Sequence, residues 1–192
     1  MWRSLADVAD VFTGYPFRGK VYPEEGGDLA VVQIKDVDAS AGLRLEDLIM
    51  LKGEGGKYDR YLLSAGDVLF QSRGSRHPVA VVPNGMHGIA ALGLHVIRPN
   101  RKHLRPEYLA WFMNHPKTQS KLKEAARGSY IPFVAKGDLA AFSVAIPSLE
   151  VQDQISHIDQ LSRQEQRLAL RLNGLMQEQA DAATWVAATR KT

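Results

Sequence analysis

The sequence predicts an α+β protein in which a β-rich globular domain, residues 1–150, is followed by one long helix, residues 151–192. Three observations predict it. From residue 1 to about 100 the chain consists of short apolar runs cut by turn residues, the pattern of strands joined by loops. Beyond that point apolar residues recur at helical spacing, beginning at Pro106 and Glu107. From Gln152 to about Thr189 there is no proline and a single glycine, Gly174, among residues that favour helix.

Each element follows from local chemistry. Leu29 to Ile34, Asp67 to Gln71 and Pro78 to Val82 read as strands, as does Ile89 to Ile97, which is β-branched and bounded by Gly88 and Pro99. Pro106 and Glu107 suit a first helical turn, Tyr108 to Asn114 continues it, and His115-Pro116 resets the chain. A second helix, Lys117 to Ala126, should stop at Gly128. Its Lys117 and Lys121 are four apart and share a face, while Leu122, Ala125 and Ala126 should turn toward the core. Ser143 to Ile146 reads as a last strand closed by Pro147. In the long helix Ile155, Ile158, Leu161, Leu168, Leu172 and Leu175 recur at steps of three and four; Ala182 and Val186 continue the register, and Glu165 and Gln179 interrupt it. Roughly 38 residues at about 1.5 Å each extend on the order of 57 Å, more than a domain of this size covers. The expectation is a coiled-coil contact with a second chain, the alternative being a helix lying along its own domain.

With 192 residues, 45% apolar and 23% charged, the chain has the composition of a folded globular protein. It has no cysteine, which excludes disulfides, thiolate nucleophiles and Cys-based zinc sites. The start, Met1-Trp2-Arg3-Ser4-Leu5, has no signal-peptide core, and no apolar run reaches membrane-spanning length. A soluble cytoplasmic protein is expected.

Charge is segregated. Residues 71–136 contain eleven Lys or Arg against Glu107 and Glu124, a balance of +9 in a chain whose total is +3. The first 70 residues hold 8 bases and 12 acids, a balance of −4. A concentrated positive field selects polyanions, because each neutralised phosphate releases counterions. Nucleic acid is therefore the leading partner class, and a solvated face balanced in space by the acidic segment is the alternative.

Catalytic motifs are weak. Gly14-Tyr15-Pro16-Phe17-Arg18-Gly19-Lys20 has the spacing of a phosphate loop, but Val21 replaces the magnesium-binding hydroxyl and Pro23 forbids the following helix. Ser120-x-x-Lys123 stands without companion motifs. The histidines form no His-x-x-x-His pair, and the early carboxylates Asp7, Asp10, Glu24, Glu25, Asp28, Asp36 and Asp38 read as surface. No catalytic residue, metal site or cofactor is expected. The set favours a nucleic-acid reader over an enzyme.

Two loops look built for reading. Gln71-Ser72-Arg73-Gly74-Ser75-Arg76-His77-Pro78 presents forked donors around a glycine bend, and Arg127-Gly128-Ser129-Tyr130 adds an aromatic plane. Arg73, Ser75, Arg76, His77, Arg127, Ser129 and Tyr130 are the expected base or near-base contacts, and Lys57, Arg101, Lys102, Lys117 and Lys121 the expected phosphate contacts. His95, inside an apolar strand, reads as core.

The order of features resembles one family. Leu5-Ala6-Asp7-Val8, Val31-Val32-Gln33-Ile34-Lys35-Asp36, Ala65-Gly66-Asp67-Val68-Leu69-Phe70, Leu104-Arg105-Pro106-Glu107-Tyr108-Leu109, Gly128-Ser129-Tyr130-Ile131-Pro132 and Ile146-Pro147-Ser148-Leu149-Glu150-Val151-Gln152 follow one another as in the target recognition domain of type I restriction-modification specificity subunits. The resemblance implies a non-catalytic reader of double-stranded DNA whose globule has an irregular, β-helix-like part. It also implies a helix that docks the DNA methyltransferase subunit, with the restriction subunit as a further partner. One recognition domain and one helix make a half subunit, so a homodimer joined by antiparallel helices is expected. The rival reading is a helix-mediated protein-interaction module without DNA specificity.

Overall fold

The protein is seen here as a computed structural model that describes residues 1–128 and 132–189. Contacts divide it into two compact units, Met1–Asp153 and Gln154–Thr192.

The first unit is α+β, with its strands in small sheets. Strands β1 (Trp2–Ser4), β2 (Ala9–Thr13), β3 (Leu29–Val32), β4 (Val37–Asp38), β5 (Gly42–Leu43), β6 (Ile49–Leu51), β7 (Val68–Gln71), β8 (Val79–Val81), β9 (Gly88–Ala90) and β10 (Leu94–Pro99) precede the helices α1 (Pro106–Asn114), α2 (Pro116–Ala125) and α3 (Lys136–Ala140). Strand β11 (Ser143–Ala145) then leads to α4 (Leu149–Thr189). The sheets are ordered β2-β10-β7-β8, β6-β3-β9, β1-β11 and β4-β5. All pairings between these strands are antiparallel except β3 with β9, which joins Val31 to Ile89 across 58 residues of chain. The core fills the space between them: Leu69, Val82, Leu94 and Val96 form one buried cluster, and Leu29, Val31, Leu51 and Ile89 another.

The expected strand Ile89 to Ile97 is two strands. Gly93 has φ +105°, which only glycine adopts without strain, and the turn there moves the chain from the β3 sheet to the β2-β10-β7-β8 sheet. The apolar character continues because both halves are buried. Asp36 is likewise buried rather than on the surface: its carboxylate accepts the Gln33 N–H at 2.8 Å and closes the helical turn Ile34–Asp36. In α2 Leu122 is buried as expected, but Ala125 is exposed because the helix ends there.

Helix α4 begins three residues before the expected start, at Leu149, and its first turn is fixed by Gln152. That side chain is fully buried; it accepts the Arg105 N–H at 2.8 Å and donates to the carbonyls of His103 (2.9 Å) and Pro147 (3.0 Å). The Gln of the Pro-x-Leu-Glu-x-Gln pattern is thus an anchor, and a buried amide with all these bonds holds the first turn of the helix in place. The second unit is the remainder of α4. Ile158, Leu161, Leu168, Leu172 and Leu175 are all exposed along it, and Ile155 is half-buried. Among the described residues no helix is long and apolar enough to cross a membrane.

Candidate nucleic-acid interface

Strands β7 and β8 are joined by the loop Ser72 to Pro78, and its conformation follows from which side chains turn inward. Ser72 is buried, its hydroxyl donating to the Gly93 carbonyl at 2.8 Å. The Gln71 amide folds back onto the Arg73 carbonyl at 2.6 Å. His77, expected to contact DNA, is only 1% exposed and is a core residue instead. Its Nδ1 donates to the Gln71 carbonyl at 2.9 Å, so the ring ties the two ends of the loop together. What remains outside is Arg73, Ser75 and Arg76, all exposed, with Gly74 at φ +114° making the bend. Neither arginine has an acidic partner within ion-pair distance among the described residues.

The segment that follows the second expected reading loop, Pro132 to Val134, lies directly against the first. Gly74 N–H donates to the Pro132 carbonyl and Val134 N–H to the Ser72 carbonyl, both at 2.9 Å. Arg127 and Phe133 exchange two backbone bonds of 2.8 Å, closing the second loop on itself. Sixty residues apart in sequence, the segments form one zipped unit. Arg127 is exposed but paired with Asp138 at 2.7 Å. Ser129 and Tyr130 lie outside the described residues.

Two amide side chains hold the zipped unit to the helices. Asn114, at the end of α1, accepts from Val79 N–H at 3.0 Å and donates to the Val79 carbonyl at 2.8 Å. Gln119 in α2 does the same for His77, accepting at 3.1 Å and donating at 2.9 Å. Each amide presents one donor and one acceptor side by side, as a neighbouring strand would, so the backbone leaving the loop is hydrogen-bonded on its helix side. Neither residue carries a motif; the signal in the sequence would have been an amide closing α1 and another in the first turn of α2.

Between this loop, the β4-β5 hairpin and α2 lies a groove of about 570 Å³, lined by Asp38, Ser75, Arg76, Gln119, Ser120 and Lys123 among others. Asp38 is held below the usual carboxylate range by the backbone N–H groups of Ala41 and Ser40, each at 2.8 Å, with Arg44 adding to them. The groove therefore offers a fixed acceptor beside forked and single cationic donors. Exocyclic amines and purine acceptor edges are recognised by that combination. Sequence reasoning placed Asp38 on a featureless surface and passed over Lys123.

The remaining expected cations are spread out. On α2, Lys117 and Lys121 lie on the face opposite Gln119, Ser120 and Lys123, and line a different groove with Trp2 and Trp111. Register places Gln71 opposite Leu94 and Val68 opposite Ile97, so Arg101 and Lys102, which follow β10, lie at the end of the sheet remote from the reading loop. The Arg101 guanidinium also donates to the Ala65 carbonyl. Lys57 is exposed, its ammonium 4.8 Å from the centre of the Tyr58 ring. Two more members of the basic segment are neutralised: Arg98 by buried Asp67 at 2.7 Å and Arg105 by Asp153 at 2.9 Å. The net excess of charge survives, but only part of it lies at the loops expected to read DNA.

Comparison with known proteins gives a consistent picture. A family model described as type I restriction modification DNA specificity domain matches residues 1–170. No curated protein matches. Among solved structures, a chain from work on complex assembly and conformational transition of the type I R-M system is similar at a TM-score of 0.63 and 19% identity, over 98% of this chain and 43% of that one. The HsdS subunit from Thermoanaerobacter tengcongensis is similar at a TM-score of 0.58 and 21% identity, over 90% of this chain and 39% of its own. The type I restriction-modification S subunit from M. genitalium gives 0.58 at 14% identity, over 94% and 42%. At these identities the likeness concerns the fold, and this chain spans less than half the length of each.

Proposed function

Because the chain belongs to the type I restriction modification DNA specificity domain family, we propose that it reads a DNA sequence on behalf of a methyltransferase complex and does no chemistry itself. The observation that carries this reading is the zipped pair of loops. Arg73, Ser75 and Arg76 project from a backbone that is hydrogen-bonded on both sides, beside a groove holding Asp38 and Lys123. Rigid presentation of forked donors is what direct readout of base edges requires, since each bidentate pair contributes about 1 to 3 kcal/mol of discrimination only if it is aimed.

Arg73, Ser75, Arg76, Arg127, Ser129 and Tyr130 are the base-facing set in this proposal, joined by Asp38, with Lys123 and Lys57 as phosphate contacts. Arg101 and Lys102 would meet only the flank of a long duplex. The exposed heptad stripe of α4, with Ile158 and Leu172 at one seam position and Leu161, Leu168 and Leu175 at the other, supports homodimerisation and docking of the methyltransferase subunit. Two antiparallel copies would read a split palindrome. Selection of the purified protein, alone and with its methyltransferase, on a randomised duplex pool tests this. A split palindrome is the expected winner, whereas a pool recovered without enrichment would sink the reading.

A further inference from the structure

Trp2, Trp111, Phe112 and Phe142 wall a groove of about 340 Å³ whose rim carries Lys117 and Lys121. Trp2 is 61% exposed, its ring 6.1 Å from that of Phe112, and the Lys121 ammonium lies 5.5 Å from the Trp2 ring centre. Both lysines face away from the reading groove, so the site is separate from the proposed DNA contacts. Its chemistry asks for an aromatic or apolar side chain flanked by carboxylates.

Such a segment exists in this chain. Trp185 is 71% exposed near the end of α4, and it stands off the heptad seam that runs through Leu175, Ala182 and Val186. Asp181, four residues before it, and Glu178, seven before it, lie on the same flank of the helix. Asp181 is exposed and accepts a hydrogen bond from Gln177 at 3.1 Å. Antiparallel seams match best when Ile158 meets Leu175 of a second copy and Leu161 meets Leu172, a register that pairs these four apolar residues and sets Glu165 against Leu168 in the layers at the centre. The same register sets Trp185 level with Ser148 of the second copy. That is the root of α4, three residues beyond Ala145, the residue paired with Trp2 in the β1-β11 sheet.

We propose that the aromatic groove receives the C-terminal end of α4 from a second copy, with Trp185 between the aromatic walls and Glu178 and Asp181 facing Lys117 and Lys121. The proposal rests on the homodimer put forward above. It makes each globular unit a clamp on the other copy's helix, fixing the register and hence the spacing of the two reading surfaces.

The chain contains no cysteine, so single cysteines report cleanly. Ser143→Cys, lining the groove, and Ala188→Cys, one turn beyond Trp185, are made on separate chains, mixed, and treated with a short bismaleimide, with Ser75→Cys in place of Ser143→Cys as control. Sedimentation of the untreated mixtures is run in parallel. The expected result is a dimer that cross-links 143 to 188 at least tenfold more than 75 to 188. A second measurement uses Lys117→Glu with Lys121→Glu, expected to weaken dimerisation about tenfold or more and to be rescued by Glu178→Lys with Asp181→Lys on the other chain. Dimers that cross-link no better than the control, or that charge reversal leaves unchanged, overturn the docking while the dimer stands. Monomer alone at tens of micromolar overturns the dimer and the docking with it.

Discussion

The ring of His77 stacks on that of Phe70, 5.5 Å between centroids and 7° from parallel. His95, the strand partner of Phe70 on β10, is stacked on it as well, at 6.3 Å and 8°. The strand order β10-β7-β8 places the phenyl ring between the two imidazoles. Each imidazole gives its one N–H to a backbone carbonyl flanking one of the two expected reading loops: His77 Nδ1 to that of Gln71, and His95 Nε2 to that of Val134 at 3.0 Å. The other nitrogens, His77 Nε2 and His95 Nδ1, are buried without a hydrogen-bond partner among the described residues. Both loops therefore rest on neutral histidines in defined tautomers.

Acid should loosen this arrangement. Burial pushes both imidazoles below their ordinary value of 6.5, against the opposing pull of the Gln71 and Val134 carbonyls, and Lys136 adds to the effect at His95. Below about pH 6.5 the unfolded chain takes up protons that the folded rings resist, so stability falls as pH drops from that value toward the depressed folded pKa values, and above it these groups contribute no slope. Thermal melts between pH 5 and 8 should show this decline. In a His77→Asn, His95→Gln variant, which keeps each donor but cannot titrate, the decline should shrink; an unchanged slope would assign it to other groups.

Gln119 should matter more than its modest appearance implies. Replacing it by Leu removes the bonds to His77 N–H and C=O and to the Met113 carbonyl, leaving partly buried backbone groups unpaired. The expected loss is about 1 to 3 kcal/mol, visible as a lower melting temperature. Gln119→Glu, which can still accept from His77 N–H but cannot donate, should fall between the two. Hydrogen exchange at the His77 amide is the local check, and protection equal to wild type in the Leu variant would show that the clamp is dispensable.

How much of this was legible follows from where the information sits. Helices α1, α2 and α4 carry local signals, a proline at the first turn or an uninterrupted helical period, and they occur where the sequence places them. Strands β1 and β2 were missed: β1 is three residues long and pairs with a strand at the far end of the globular unit, Trp2 with Ala145 and Ser4 with Ser143, so nothing local marks it. Composition marks the two loops expected to read DNA, but it cannot tell Arg76, which projects, from His77, which turns in. That difference is set by Gln119 and Gln71, whose bonds to His77 are non-local or depend on the bend. The opposite faces of α2 were readable from spacing, since Lys117 and Lys121 share one and Lys123 does not. What they face was not.

Arg98 belongs to the basic segment, yet its role should be structural. Its Nε and Nη2 fork onto Asp67 at 2.8 and 2.7 Å, Nη2 also reaches the Leu62 carbonyl at 3.2 Å, and Asp67 accepts the Ser64 N–H at 2.7 Å. Asp67 is 1% exposed. Arg98→Leu would strand a buried carboxylate and should destabilise the fold by roughly 1.5 to 3 kcal/mol, the guanidinium's partial exposure keeping the loss from being larger. DNA affinity per folded molecule should keep its salt dependence. A shallower salt slope in this variant would instead make Arg98 a phosphate contact.

Arg76 and Lys123 line the same groove but should fail differently. A lysine acting as a point charge on phosphate contributes equally to every sequence, so Lys123→Ala should weaken binding to all duplexes and flatten the dependence of log affinity on log salt by about one unit. Arg76→Ala should relax selectivity at one position of the selected site, by about 1 to 3 kcal/mol, because the guanidinium fork is aimed by a loop held at both ends. Lys117→Ala, on the far face of α2, should leave both the salt slope and the selectivity unchanged when measured at concentrations where the protein is dimeric. Measured over a salt series on the selected site and on single-base variants of it, the three substitutions form a pattern that a diffuse basic surface would not produce. Such a surface would give three equal slopes and no change in selectivity.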